Sequence, residues 1–276
     1  MADQALLPLV IEPEQLAAEL SNEQLLIVDL SQAQVYLRAH VPGAIHLPFS
    51  RLVSGIKPAT GSLPSVAQLE EVFSELGLTE DSHIVAYDDE GGGWAGRLIW
   101  TLDMIGHKKY SYLNGGIHAW LESGQPIQKE AKSPTPSTVN VQLESAPAVD
   151  REYILANLDN PNMVIWDARS REEYLGTRSF AQKAGHIPGA KHYEWTTAMD
   201  RERQLRIIDL ESLKSQLAEL GITSDKEIVT HCQTHHRSGF TYLLGKVLGF
   251  DNIRAYPGSW SEWGNHPDSP IETDTE

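Results

Sequence analysis

Short apolar runs with little polar alternation punctuate the chain: "LLIVD" at 25–29, "HIVAY" at 83–87, "MVIWD" at 163–167 and "EIVTH" at 227–231. Runs of this length, bounded by turn residues, predict strands buried on both faces, as in parallel sheets. Amphipathic stretches lie between them. Leu69–Leu76 predicts a helix closed by Gly77, and Arg97–Ile105 predicts another stopped by Gly106. Tyr110–Leu113 reads as a third strand before Gly115-Gly116. Strands alternating with helices predict an α/β fold, a mostly parallel sheet covered by helices on both faces.

The pattern occurs twice. "LLIVDLSQAQVYLRAHVPGAIHLPF" (25–49) resembles "MVIWDARSREEYLGTRSFAQKAGHIPGAKHYEW" (163–195), with Asp29 matching Asp167 and Tyr36 matching Tyr174. His40-Val41-Pro42-Gly43-Ala44 matches His186-Ile187-Pro188-Gly189-Ala190. Both read as structural turns, because the first copy has no cysteine beside it. "LEEVFSELGLTEDSHIVAYDD" (69–89) parallels "LKSQLAELGITSDKEIVTHCQ" (213–233), and "GRLIWTLDMIGHKKYSYLNGGIHAW" parallels "GFTYLLGKVLGFDNIRAYPGSWSEW". A repeat this long is a duplicated domain and not a solenoid unit. It predicts an N-terminal domain over 1–124, a Pro/Ser/Thr/Lys-rich linker over 125–148 with "VNVQLE" pairing briefly, and a C-terminal domain over 149–276.

Composition narrows the function classes. The 276 residues are 41% hydrophobic and 22% charged, which is ordinary for a globular chain, and the formal charge is −16. That balance argues against a general nucleic-acid binder, and any anion site must be positive locally. One cysteine forms no internal disulfide. The opening residues lack the basic and apolar regions of a signal peptide, and no apolar run is long enough to span a bilayer. The expectation is a cytoplasmic protein without membrane or nucleic-acid partners.

That cysteine, Cys232, stands in "HCQTHHRSGF". The strand Glu227–His231 ends just before it. Phe240, Leu243, Leu244, Val247 and Leu248 predict an amphipathic helix running to Gly249. The thiol therefore opens a strand-to-helix loop at the carboxyl end of a parallel strand, where ligands of open α/β sheets gather. Loop N–H groups, Arg237 and the histidines favour a thiolate in an anion-binding cup. The competing readings are a buried structural cysteine, a zinc ligand and a papain-like nucleophile. Zinc takes three or four ligands, and His231, Cys232, His235 and His236 are too close in sequence to converge on one ion, so no metal is expected. The protease reading needs a remote His and Asn or Asp, which the duplication does not suggest.

The duplication, the Asp and His-x-Pro-Gly-Ala pattern in both halves, and the six-residue stretch Cys232-Gln233-Thr234-His235-His236-Arg237 resemble a tandem-domain rhodanese over roughly Leu25 to Trp263. The CQTHHR loop is similar to that of azotobacter- and pseudomonad-type bacterial rhodaneses. The resemblance implies a sulfurtransferase without a cofactor. Cys232 takes the outer sulfur of a small anionic donor such as thiosulfate, carries it as a persulfide, and passes it to cyanide or a thiol or protein acceptor. Phosphatases of this fold use Cys-x5-Arg. Here Cys-x5 falls on Ser238 and Arg237 comes one residue earlier, a shorter loop better suited to sulfur than to a phosphate. A 3-mercaptopyruvate sulfurtransferase and a non-enzymatic persulfide carrier remain alternatives.

Relatives in that family place a substrate-binding Arg before the aromatic of a Tyr-Leu-Gly turn. This chain has Glu173 there, a charge expected to disfavour an anionic donor. Arg171, Arg178 and Arg237 become the replacement candidates, with surface charge the plainer reading of Arg171 and Arg178. Asp167 is expected to brace Arg237 or Arg169, or to cap a helix. Trp195, Trp260 and Trp263 are candidates for an apolar wall near the sulfur. In the N-terminal copy Asp88 stands where Cys232 does, in the loop "DDEGGGWAGR", so that copy is expected to be inactive. Its acidic loop reads as a retained cover, with a metal or regulatory site the alternative. Two packed domains are compatible with a monomer.

Overall fold

A computed structural model of the chain describes residues 5–273. In the first half the elements run β1 (Val10–Ile11), α1 (Pro13–Glu19), β2 (Leu25–Asp29), α2 (Ala33–Tyr36), β3 (Ile45–His46), α3 (Val66–Glu75), β4 (His83–Tyr87), α4 (Gly93–Met104), β5 (Tyr110–Leu113) and α5 (Gly116–Glu122). The second half follows with α6 (Arg151–Ala156), β6 (Met163–Asp167), α7 (Arg171–Leu175), β7 (Lys191–His192), β8 (Met199–Asp200), β9 (Arg206–Ile207), α8 (Leu210–Glu219), β10 (Glu227–His231), α9 (Arg237–Val247), β11 (Ile253–Ala255) and α10 (Ser259–Trp263). Helix α4 begins earlier than the apolar spacing suggests, because Gly91 and Gly92 take φ of 99° and 105° and turn the chain into it.

The chain forms two compact units. The first holds residues up to Leu52, Pro64–Glu144 and Met199–Ile207. Its five-stranded sheet has the order β1-β5-β4-β2-β3, with every neighbouring pair parallel. The second holds Val53–Leu63, Ser145–Ala198 and the residues from Ile208 onward. Its sheet has the order β11-β10-β6-β7, again parallel throughout. Each unit thus takes one short segment from the other half of the sequence: Val53–Leu63 joins the second, and the antiparallel β8–β9 ribbon joins the first. Strands β4 and β6 are buried along their whole length, which explains their unbroken apolar character.

Residues 125–144 run along the first unit without forming a strand. Gln128 makes one antiparallel bridge to His40, and further on Val139 N–H donates to Ser74 Oγ and Val141 N–H to Glu70 Oε1, both on α3. The His-x-Pro-Gly-Ala turns prove to be matched braces. The Tyr36 ring stacks on His40 at 3.9 Å, and Tyr174 on His186 at 3.8 Å. Each tyrosine hydroxyl donates to the alanine carbonyl closing its turn, Ala44 at 3.0 Å and Ala190 at 2.8 Å. Both turns pack into the apolar cores of their units.

Candidate active site

In the second unit β10 lies between β6 and β11, and its last residue, His231, is in register with Asp167. Cys232 follows at the strand's carboxyl end, fully buried, and α9 begins at Arg237. The loop carbonyls are turned outward onto the start of α10: Trp260 N–H donates to Cys232 O and Ser261 N–H to Gln233 O, both at 2.9 Å. In a trans peptide the next N–H points the opposite way, so the Gln233 and Thr234 N–H groups face the loop interior. Ser259 Oγ accepts from the N–H groups of Cys232 (3.3 Å) and His235 (3.1 Å) and donates to Tyr256 O (2.9 Å). Ser259 and His235 both take a positive φ of 52°, an uncommon conformation for side-chain-bearing residues that the surrounding bonds hold in place.

The sulfur has a hydroxyl partner as well. Ser238 Oγ donates to Cys232 Sγ at 3.4 Å and lies 2.7 Å from His235 Nδ1, and all three residues are buried. Burial alone raises the thiol pKa, but the Arg237 charge, the Ser238 hydroxyl and N–H, and His236 outweigh it and hold Cys232 below its ordinary value of 9.0. The expected result is that alkylation of Cys232 by iodoacetamide reaches its plateau at lower pH than alkylation of a free cysteine, since the rate follows the thiolate. In Arg237→Gln the midpoint of that pH profile shifts upward, and an unmoved midpoint would remove Arg237 from the account.

The supporting residues separate into distinct roles. Asp167 braces Arg169, not Arg237: Arg169 Nε reaches Oδ1 at 2.9 Å, Nη2 reaches Oδ2 at 2.6 Å, and the guanidinium lies 4.3 Å over the Trp260 ring. Nor does Asp167 cap a helix, for the cap of α7 is Ser170. Arg171 is exposed on α7. Arg178, also exposed, stacks over Phe180 at 4.7 Å. Ser170, Glu173, Arg178, Phe180, Gln233 and Arg237 line a pocket of about 510 Å³. Glu173 does not stand as an unmatched negative charge. It is bound in a bidentate ion pair with Arg237. Of the three tryptophans, Trp195 turns its ring to the loop, edge-on to His236 at 5.6 Å, whereas Trp260 meets the loop through its backbone N–H and the rings of Trp260 and Trp263 belong to the core.

The first unit shows what such a loop does with an anion. Asp88 is fully buried, with Oδ1 accepting from the N–H groups of Glu90, Gly91 and Gly92, and Oδ2 from those of Trp94 and Ala95, at 2.9–3.1 Å. Burial and the nearby Glu90 charge push its carboxyl up to about 6, against the pull of those N–H groups. The cradle is filled by the chain's own carboxylate.

A rhodanese-like domain model matches residues 12–123 and 150–266. The chain belongs to the rhodanese family. It is 52% identical over 272 residues to the thiosulfate sulfurtransferase of Azotobacter vinelandii, covering 99% of this chain and 100% of that one. It is 50% identical to the thiosulfate sulfurtransferase of Pseudomonas aeruginosa, covering 96% and 97%. The sulfur carrier protein TtuD of Thermus thermophilus is 32% identical over 86% of each chain. Among solved structures, wild-type EanB superposes with a TM-score of 0.87 at 22% identity, over 97% of this chain and 69% of that one, a likeness of fold alone.

Three contributors to this rhodanese loop escape sequence reasoning. Ser238 is visible only as the residue after Arg237. Ser259 left a readable trace, because its twin in the first copy is Gly116, itself at φ 56°, and a serine at a left-handed glycine position signals a use for the hydroxyl. Gly61, on the segment Val53–Leu63, left none. It packs against the Thr234 backbone so closely that a Cβ there would lie 2.0 Å from Thr234 O.

Proposed function

We propose that this rhodanese is a thiosulfate sulfurtransferase with Cys232 as the sulfur carrier. The observation that carries the reading is the buried thiol at the head of a Cys-x4-Arg loop, with Ser238 Oγ on the sulfur and the Arg237 charge favouring its ionised form. The thiolate attacks the outer sulfur of thiosulfate. The donor S–S bond breaks, its electron pair leaves with sulfite, and a Cys232 persulfide anion remains. Cyanide then attacks the terminal sulfur, thiocyanate departs, and the electron pair returns to Sγ. Loop N–H groups aimed at the sulfur stabilise both anionic states, the role an oxyanion hole plays for oxygen. With one cysteine in the chain, no second thiol of the same molecule resolves the persulfide to a disulfide.

The loop residues Gln233, Thr234, His235, His236 and Arg237 form the donor site in this reading, with Asp167 and Arg169 supporting the fold behind it. Asp88 leaves the first unit without a nucleophile and with its cradle occupied, which makes that unit inactive in transfer. Among the described residues no helix is long and apolar enough to cross a membrane. The single cysteine fits a reducing cytoplasm, and a monomer suffices for the chemistry. A persulfide carrier is the second reading, favoured by the likeness to a sulfur carrier protein.

Intact-mass measurement after mixing with thiosulfate is the test. The protein gains one sulfur atom, cyanide removes it, and thiocyanate forms over many turnovers. Gain of the sulfur without steady-state thiocyanate would leave the carrier reading. No gain would overturn both.

A further inference from the structure

Arg237 is positioned to meet a donor, yet its guanidinium is forked onto Glu173: Nη1 donates to Oε2 at 2.6 Å and Nη2 to Oε1 at 2.9 Å. The Glu173 side chain is 5% exposed and that of Arg237 19%, so little water screens the pair. Opposite charges so close act on an approaching ion as a dipole, whose field falls off faster than that of a free cation. Both residues line the pocket over the loop. Arg178, which is exposed and stacked on Phe180, is the other cation of that wall.

The negative charge of Glu173 is not required by the helix that carries it. In the capping box of α7, Glu173 N–H donates to Ser170 Oγ and Glu173 Oε2 accepts from Ser170 N–H. A glutamine performs the same cap. What glutamine lacks is the charge, and the charge of Glu173 is directed at Arg237.

We infer that Glu173 is a specificity-determining residue that acts through Arg237 to hold down the affinity of the site for small dianionic sulfur donors, relative to donors that present sulfur on a neutral or singly charged carrier. It is a positioning residue, since it orients and neutralises the guanidinium and touches no reacting atom. The inference rests on the sulfurtransferase reading above and adds the donor selectivity of the same site.

Steady-state transfer from thiosulfate to cyanide by the natural chain and Glu173→Gln tests it. The KM for thiosulfate is expected to fall roughly tenfold in the variant, with the gain shrinking as salt is added. The gain disappears in the double variant E173Q/R237Q. Glu173→Ala, which gives up the cap along with the charge, shifts KM in the same direction. An unchanged or higher KM for thiosulfate in a variant that melts like the natural chain would overturn the inference and leave Glu173 as a structural partner of the loop. Should the natural chain not turn thiosulfate over at all, the sulfurtransferase reading fails separately. Thiosulfate protection of Cys232 against iodoacetamide then decides the inference: protection at lower concentration in Glu173→Gln supports it, and equal or weaker protection overturns it.

Discussion

In Gly61→Val, sulfur uptake by Cys232 is expected to slow about 100-fold, the order of loss that follows when a reacting group is displaced by an ångström. A Cβ on Gly61 would stand 2.0 Å from Thr234 O, 2.4 Å from Thr234 C and 2.9 Å from Pro257 O. All three are backbone atoms, so no side-chain rotation relieves the clash. The segment carrying Gly61 resists yielding, because it is closed on itself by bonds from Ser54 N–H to Ser62 O, Gly55 N–H to Thr60 O and Ser62 N–H to Ala59 O. The Thr234 peptide must then move, and with it the neighbouring N–H groups that face the loop interior. Overpacking of this kind costs about 1–3 kcal/mol of stability, which leaves the protein folded. Single-turnover persulfide formation, measured beside a thermal melt, separates the two effects. A rate within a few-fold of the natural chain would show that the segment lifts away without disturbing the loop.

Gly61 also marks where sequence reasoning ran out. Strands such as Leu25–Asp29 and Glu227–His231 were legible because burial on both faces leaves an unbroken apolar run. Repetition then placed Cys232 by placing its twin Asp88. The exchange of Val53–Leu63 and the β8–β9 ribbon between units leaves no such trace. These segments are short, lack a period, and are tied down by contacts distant in sequence. In the β8–β9 ribbon Arg206 binds Glu12 and Glu122, and Ile207 N–H donates to Asn114 Oδ1. Glu173 was legible as an oddity, but its consequence was not. A lone acidic residue in a motif says nothing of its partner, and Arg237 lies far along the chain on another element.

The duplicated loops explain one another physically. Both turn the carbonyl of the residue after the central strand onto an N–H group at the start of the helix after next, α5 or α10: Ile117 N–H donates to Asp88 O as Trp260 N–H does to Cys232 O. That common geometry turns loop carbonyls away, and in the first unit the loop N–H groups converge on the side chain that heads the loop. A carboxylate in that position receives five of them and is locked. A thiol in that position is instead held below its ordinary pKa, which suits the nucleophile proposed above. One backbone solution therefore holds a structural anchor in one unit and the proposed sulfur carrier in the other, according to the residue at its head.

Behind the reactive loop, Asp167→Asn is expected to destabilise the second unit by about 3–5 kcal/mol, the range for breaking a buried pair and leaving one charge unmatched. Asp167 and Arg169 are at most 1% exposed, and the guanidinium has Gly185 O as its other oxygen partner at 2.8 Å. His231 Nε2 lies 3.5 Å from Asp167 Oδ2. Burial works against the carboxylate, but Arg169 and His231 overcome it and hold the carboxyl well below its usual 3.8. Burial likewise pushes His231 down to about 4, with Asp167 pulling the other way. Both shifts have the same sign for stability. The unfolded chain takes up a proton on His231 as pH falls below 6.5 and on Asp167 as it falls below 3.8, while the folded chain resists both. Stability is therefore fully present above 6.5 and is lost in two stages on acidification. In Asp167→Asn the carboxylate's own contribution disappears, while His231, no longer pulled up by the Asp167 charge, is pushed lower still, so denaturant melts taken across the acid range should lose the part of their slope that Asp167 carries and keep a His231 stage extended to lower pH. A variant that keeps the full slope would mean that another carboxylate carries it. Because Arg169 also lies over Trp260, whose backbone N–H donates to the Cys232 carbonyl, the same substitution should slow persulfide formation in whatever protein remains folded.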